Sequence, residues 1–365
     1  MLDLIGLGNG VINVVILLVI LVVLVVIHEL GHFLVARRAG VTVHEFGVGF
    51  PPRAKILGRD KQGTIYTLNW LPIGGFVKLE GEEGESDDPR AFVKQRLPTR
   101  LTILLAGVTM NALLAVVLMV GIAAVADPSA TVRVGEVSAA SPAEQAGLTA
   151  GDVIVAVDGR NYAWFDLPDG PTALLDYIRA RPSTQVTLAV QRPSGEMVDL
   201  LATTRTAADI AAGRGALGFQ VAGLVPGSTI ERDFVSAIGV GLQRSVDAAT
   251  LILRALGDFV TNLANPPITG PVGMVEIIGA VREAPPVTWV WLIALLSANL
   301  AVVNALPLPP LDGGRVAVSL VQAALGNRVS VAVERYVYFA GFVFLMALLA
   351  WVTLFDTGVL QRTVP

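Results

Sequence analysis

The sequence predicts a polytopic α-helical membrane protein with four transmembrane helices and a small β-rich domain outside the bilayer. Two observations lead there. Apolar residues make up 53% of the 365 positions and charged ones only 15%, against roughly 25% charged in an ordinary soluble domain, so much of the surface must meet something other than water. The apolar residues are also gathered into four runs, each long enough to cross a hydrocarbon core of about 30 Å, with one long mixed segment between the second and third.

The first run extends from Val11 to Ala36, and Asn13 is its only polar residue before His28. No basic residue precedes it and no small-residue cleavage site ends it, so it reads as a span and not as a secretory leader. The second run covers Leu101 to Ala126, the third about Val287 to Leu308 and the fourth about Tyr336 to Leu354. Lys and Arg crowd the segment from Arg37 to Arg100 and recur at Arg315, Arg328 and Arg335, whereas the tail beyond Leu354 has only Arg362. Because basic residues accumulate in cytoplasmic loops, both termini and residues 127–286 are expected outside the cytoplasm. The chain would then be a multi-pass protein of the cell's inner (cytoplasmic) membrane.

The expected organisation is an N-terminal membrane part over 1–126 with a cytoplasmic-side β-region at about 41–80, a domain over 127–222, a connector over 223–286 and a C-terminal membrane part over 287–365. Within the second of these, Val132, Val134 and Val137, then Val153, Val155 and Val157, then Val186, Leu188 and Val190 alternate as strands do, with turns at Asp158-Gly159 and Ser194-Gly195. The connector begins as an amphipathic helix over 233–263, with Arg244, Asp247, Arg254 and Asp258 on its polar side, suited to a membrane surface or a neighbouring element. Its remainder is rich in proline and glycine (Pro266, Pro267, Gly270, Pro271, Gly273, Pro285, Pro286) and reads as a linker.

The net charge of −4 provides no basic field for nucleic acid. The absence of cysteine leaves only His, Asp and Glu as candidate metal ligands. Of three histidines in the chain, two stand in the sequence His28-Glu29-Leu30-Gly31-His32 near the end of the first run. On a helix His28 and His32 share a face and can reach one zinc ion, while Glu29 stands close enough to take a proton from water without being a ligand. Ionisable groups this dense inside a span are costly unless paired or metal-bound. A third histidine six residues on would complete one familiar zinc pattern, but that position is Arg38; His44 lies beyond the span and reads as a structural or solvated side chain.

A third ligand is available at the cytoplasmic end of the third run, where Asn304-Ala305-Leu306-Pro307-Leu308-Pro309-Pro310-Leu311-Asp312-Gly313-Gly314 ends in a carboxylate. The prolines prevent regular helix and the glycines allow a sharp turn, so Asp312 can be turned inward toward a metal; a cap on the next helix is the lesser alternative, since Asp312 lies at the same membrane face as His28 and His32.

At these residues the sequence resembles the site-2 protease family of intramembrane zinc metalloproteases, and more narrowly its bacterial, PDZ-containing branch. The resemblance implies one Zn2+ held by His28, His32 and Asp312, with Glu29 as general base. It matches Asn304 to the family's substrate-holding asparagine, although an amide bonding between helices is the alternative. Phe46 to Pro51 and Tyr66 to Leu79 resemble the family's membrane-associated β-structure. Gly74, Gly75 and Phe76 there would offer an edge to an extended substrate. Gly270-Pro271-Val272-Gly273 also resembles a family segment, with no chemical role assigned. Ser141 to Leu148, Gly151 to Ile154 and Asp158-Gly159 resemble a circularly permuted PDZ domain, which would either capture a C-terminus at a carboxylate-binding loop over Gly215 to Phe219, with Leu217, Gly218 and Phe219 as substrate contacts, or bind no peptide and only exclude bulky substrates. The implied activity is cleavage of single-pass membrane proteins in or near their span, often after a first cut by another protease. Anti-sigma-factor-like proteins or signal-peptide remnants are the implied substrates, and the lipid bilayer is the other partner. The residues alone also admit a silent PDZ adaptor or a zinc hydrolase for a non-peptide substrate; the intact Glu29 speaks against the adaptor.

Overall fold

The computed structural model describes residues 4–360 apart from 83, 85, 263–267 and 326–330, so Pro266, Pro267, Arg328 and Arg362 lie outside the described residues. In chain order the elements are α1 (Leu4–Arg38), β1 (Val43–Arg59), β2 (Ile65–Leu79), α2 (Leu97–Val125), β3 (Pro128–Val137), α3 (Pro142–Gln145), β4 (Val153–Val157), α4 (Ala173–Arg179), β5 (Gln185–Gln191), β6 (Met197–Thr203), α5 (Ala207–Ala211), β7 (Phe219–Thr229), α6 (Phe234–Thr261), α7 (Pro271–Val281), α8 (Pro286–Ala305), α9 (Asp312–Leu325) and α10 (Val331–Asp356). They fall into two compact units, residues 1–117 with 248–365 and residues 118–247.

Among the described residues four helices, α1, α2, α8 and α10, are long and apolar enough to cross a membrane, over Gly8–Arg38, Leu97–Val125, Pro286–Ala305 and Val333–Asp356. In the first unit Leu17, Ile20 and Leu24 of α1 pack with Ile278 of α7 and with Leu292 and Leu296 of α8. Helix α8 stops at Ala305 because Leu306 precedes a proline and takes extended geometry (φ −65°, ψ 142°). Gly313 and Gly314 make no sharp turn: they lie buried in the first turn of α9. Their value is close approach. A Cβ on Gly313 would stand 2.3 Å from the carbonyl oxygens of Ala305 and Leu306, and one on Gly314 would stand 2.7 Å from the Leu308 carbonyl. The chain between α8 and α9 folds back on itself tightly enough that only glycine fits.

The stretch expected as a linker contains α7. Its helix-breaking residues sit at the start, with Gly270 as N-cap and Pro271 in the first turn, where a missing N–H costs nothing. The Gly-Pro-Val-Gly segment thereby acquires a structural role. The Gly273 N–H donates to Asp356 Oδ2 of α10 at 3.1 Å, and a Cβ on Gly270 would meet the same oxygen at 2.7 Å.

Strands β1 and β2 pair antiparallel, and because both bend, Glu45 to Val48 are matched by Gly75 to Lys78 on one side and by Ile65 to Leu68 on the other. Residues 75–78 therefore have a strand partner on one side only among the described residues. Phe50, Ile56, Leu57, Trp70, Leu71 and Ile73 of this sheet are exposed apolar side chains, as expected of a sheet that meets lipid. Glu45 is buried beneath it and bonded to Arg53 and to the Thr67 hydroxyl.

The second unit holds a five-stranded sheet in the order β6-β5-β4-β3-β7. Val132, Val134, Ile154, Val157, Val186, Leu188 and Val190 point into its core with Leu174 and Ile178 of α4. The turn after β4 has positive φ at Asp158 and Gly159 (51° and 70°), the geometry of a two-residue hairpin. Among the described residues strand β7 pairs only with β3, which leaves it at the sheet edge. Helix α6 crosses the end of α2 at near backbone contact: a Cβ on Gly241 would stand 2.5 Å from the Val120 nitrogen. Arg244, expected on a polar helix face, is instead 2% exposed and paired with Asp127 and Asp166 at 2.8 and 2.7 Å. Helical periodicity reports a polar stripe, and within it Arg244 meets countercharges while Arg254 and Asp258 are exposed.

Candidate metal centre

The first unit contains a cavity of about 1150 Å3 whose lining includes His28, Glu29, His32, Asn111, Asn304 and Asp312. Helix α1 is regular through the histidines, so residues four apart project the same way. Among the described residues, one oxygen of Asp312 and one nitrogen from each of His28 and His32 gather with all three atoms within 4.8 Å of one another. Asp312 Oδ2 is 2.8 Å from His28 Nε2 and 3.2 Å from His32 Nε2, and the two Nε2 atoms are 3.1 Å apart.

Protons decide what this cluster is for. His32 Nδ1 lies 2.8 Å from the Ile103 carbonyl oxygen, to which only an N–H can bond, so in a neutral imidazole Nε2 is a bare lone pair. Three acceptors then face one another, and a single proton on His28 cannot satisfy them all. A divalent cation can, and two imidazoles with one carboxylate form a donor set suited to zinc with a position left for water. Space is kept for it from α2: a Cβ on Gly107 would stand 2.4 Å from His32 Nε2 and 2.6 Å from His28 Nε2. The residues present therefore fit a zinc ion.

Glu29 stands beside the cluster and toward β2, its Cγ 3.7 Å from where a Cβ on Gly75 would lie. Gly74, Gly75 and Phe76 line the same cavity, and so does Asn304. Below them, Arg315 of α9 forms an ion pair with Glu82, whose other oxygen accepts from the Leu79 N–H at 3.3 Å, so the end of β2 is tied to the helix that carries Asp312. His44 does not join the cluster; its Nε2 is 2.5 Å from Glu80. Leu217, Gly218 and Phe219 belong to the second unit. There Leu217 is buried in the sheet core, and the Gly218 carbonyl, at a residue with φ +83°, accepts from Ser138 N–H at 2.9 Å.

The profile of peptidase family M50 matches residues 16–348. The chain belongs to peptidase family M50. As a member of that site-2 protease family it is a membrane-embedded zinc metalloprotease. The relatives agree across nearly the whole length. A protein of Clostridium acetobutylicum, named provisionally as a zinc metalloprotease, is 34% identical over 352 residues, covering 94% of this chain and 97% of its own. The regulator of sigma-W protease RasP of Bacillus subtilis is 26% identical over 410 residues, covering 89% of this chain and 93% of its own. The chloroplastic membrane metalloprotease ARASP of Arabidopsis thaliana is 30% identical over 347 residues, covering 91% of this chain and 75% of its own.

Two contributors escape the motif reading of this M50 chain. The Ile103 carbonyl is invisible in a sequence because any residue could supply it. Asn111 is visible: an amide in the middle of a long apolar run, one turn after Gly107, carries the same signal of an expensive buried polar group as Asn304. It is fully buried, with Nδ2 3.4 Å from His28 Nδ1.

Proposed function

We propose that this protein is an intramembrane endopeptidase of the PDZ-containing branch, in which His28, His32 and Asp312 hold zinc and Glu29 is the general base. The observation that carries the assignment is the meeting of three acceptor atoms from α1 and α9 with no donor set of their own. When bound, zinc lowers the pKa of a water and draws charge from the scissile carbonyl. Glu29 takes the proton of that water and returns it to the leaving amine. An extended substrate segment pairs with residues 74–76, where Gly75 stands beside Glu29, and the Asn304 amide holds the substrate main chain. A helical substrate must unwind to reach that edge, since its carbonyls are otherwise engaged.

Substrates on this reading are single-pass membrane proteins, trimmed first by another protease. The similarity to a regulator of sigma-W protease makes anti-sigma factors and signal-peptide remnants the classes to try. The five-stranded sheet supports a PDZ-like domain: the loop ending at Gly218 leads straight into the edge strand β7, the arrangement needed to capture a C-terminal carboxylate and add its strand. Lys and Arg at the β-sheet and at Arg315 support a cytoplasmic active site with the second unit outside.

Co-expression of tagged single-pass membrane proteins with wild type and Glu29→Gln tests the reading. Cleavage by the wild type, with a loss of at least about 100-fold in the variant and no loss of bound zinc, is expected. Equal cleavage by both removes Glu29 from the mechanism, and none by either favours an adaptor.

A further inference from the structure

Asn111 reaches His28 on the side of the ring away from the cluster. Its Nδ2 is 3.4 Å from His28 Nδ1, while its Oδ1 is buried without a partner. Leaving a buried carbonyl oxygen orphaned is costly, and the same amide turned by half a rotation would place that oxygen where Nδ2 now stands. The chemistry of His28 decides between the two orientations. Its Nε2 points into the cluster, 2.8 Å from Asp312 and 3.1 Å from His32 Nε2. If Nε2 presents a lone pair to a cation, a neutral ring must carry its proton on Nδ1. An Nδ1–H facing an amide N–H is a clash of donors; facing Oδ1 it is a hydrogen bond.

We infer that Asn111 is a positioning residue for His28, accepting from Nδ1–H through Oδ1 and so fixing the ring as the tautomer that offers Nε2 to zinc. Ile103 does the same for His32 through its main-chain carbonyl at 2.8 Å. Helix α2 therefore serves both histidines from one face. Ile103 and Asn111 supply the acceptors and Gly107, midway between them at helical spacing, leaves the space. The main chain at Asn111 is held independently, because its carbonyl accepts from the Ser297 hydroxyl of α8 at 2.8 Å. A change of the side chain leaves that bond in place.

The inference rests on the zinc reading of the same cluster, and the experiment separates the two. Zinc affinity is measured by chelator competition on full-length, detergent-solubilised wild type, Asn111→Leu and Asn111→Asp, along with the thermal midpoint of each apo protein. Leu keeps the volume and loses the acceptor; Asp keeps the acceptor. Loss of an outer partner of a ligating histidine costs about 10–100-fold in metal affinity, so Asn111→Leu is expected to weaken zinc binding by that factor while Asn111→Asp stays within about threefold of wild type or binds more tightly. A role in packing alone would lower the apo midpoint and leave zinc affinity unchanged. Zinc binding by Asn111→Leu equal to that of wild type, or equal weakening in both variants, overturns the inference. Failure of the wild type itself to bind zinc overturns the reading beneath it.

Discussion

Each compact unit hides a cluster of ionisable groups, and the two are built on opposite rules. In residues 118–247, Asp127 and Arg244 are almost completely buried, and Arg232, Arg244 and Asp166 complete a set in which guanidinium donors meet carboxylate acceptors. That cluster neutralises itself. In the other unit His28, His32 and Asp312 bring acceptors to acceptors, with their remaining ring nitrogens turned toward Ile103 and Asn111. A set whose opposite charges pair with one another holds a fold together; a set of acceptors that no donor within it can join calls for a cation. The contrast shows why burial and charge alone do not identify a site, whereas the balance of donors and acceptors does.

The comparison can be broken from either side. The largest effect is expected for Asp312→Ala, which removes the charged acceptor of the candidate metal cluster: bound zinc measured by elemental analysis should fall to background and proteolysis with it. The fold should persist, as judged by circular dichroism. Arg244→Met should do the reverse. It leaves Asp127 buried with Arg232 alone and should cost about 3–5 kcal/mol, read as a lowered unfolding midpoint, with zinc content unchanged. If zinc content falls with stability, the two clusters are not independent. Gly107→Ala is a finer probe, since its methyl would stand 2.4 Å from His32 Nε2. Zinc affinity should drop by at least about tenfold, near 1.4 kcal/mol, without a comparable fall in the apo midpoint.

The smallest effect concerns Glu45. Burial pushes its carboxyl upward, but hydrogen bonds from Arg53 and Thr67 hold it below the ordinary value of 4.5. A carboxyl lowered in the folded state contributes stability that is complete above its unfolded value and is lost as pH falls through the folded one. Arg53 is half exposed, so the contribution is expected to stay under about 1 kcal/mol. Glu45→Gln should lower stability at neutral pH by up to that amount and flatten the profile below pH 4.5, where the two proteins should converge.

Much of this was legible in the residues because the membrane enforces simple rules. Run length set the four long helices, and alternation at Val132 to Val137 and Val186 to Val190 set two of the strands. The His-Glu spacing fixed three side chains on one turn of α1. What stayed hidden depends on what faces what. The polar stripe with Arg244 could have met water, lipid headgroups or Asp127, and periodicity cannot choose among them. The Gly313-Gly314 pair reads as a turn in sequence, yet it is a contact surface for Ala305, Leu306 and Leu308. Prolines around residues 265–286 suggested a linker, although Pro271 stands where a helix tolerates it best. Asn111 was within reach, but an amide has no motif of its own, and its meaning appears only beside His28.

The bare main chain at Gly74 and Gly75 has a further consequence. An edge strand offers N–H and C=O groups, which every peptide can match, and glycine adds no side-chain pocket to discriminate among residues. A substrate held there would be chosen less by the letters of its sequence than by how readily its helix frays at the depth of Glu29. Two unrelated spans with the same weak turn would then be cut alike. A close homologue with that turn reinforced would be spared.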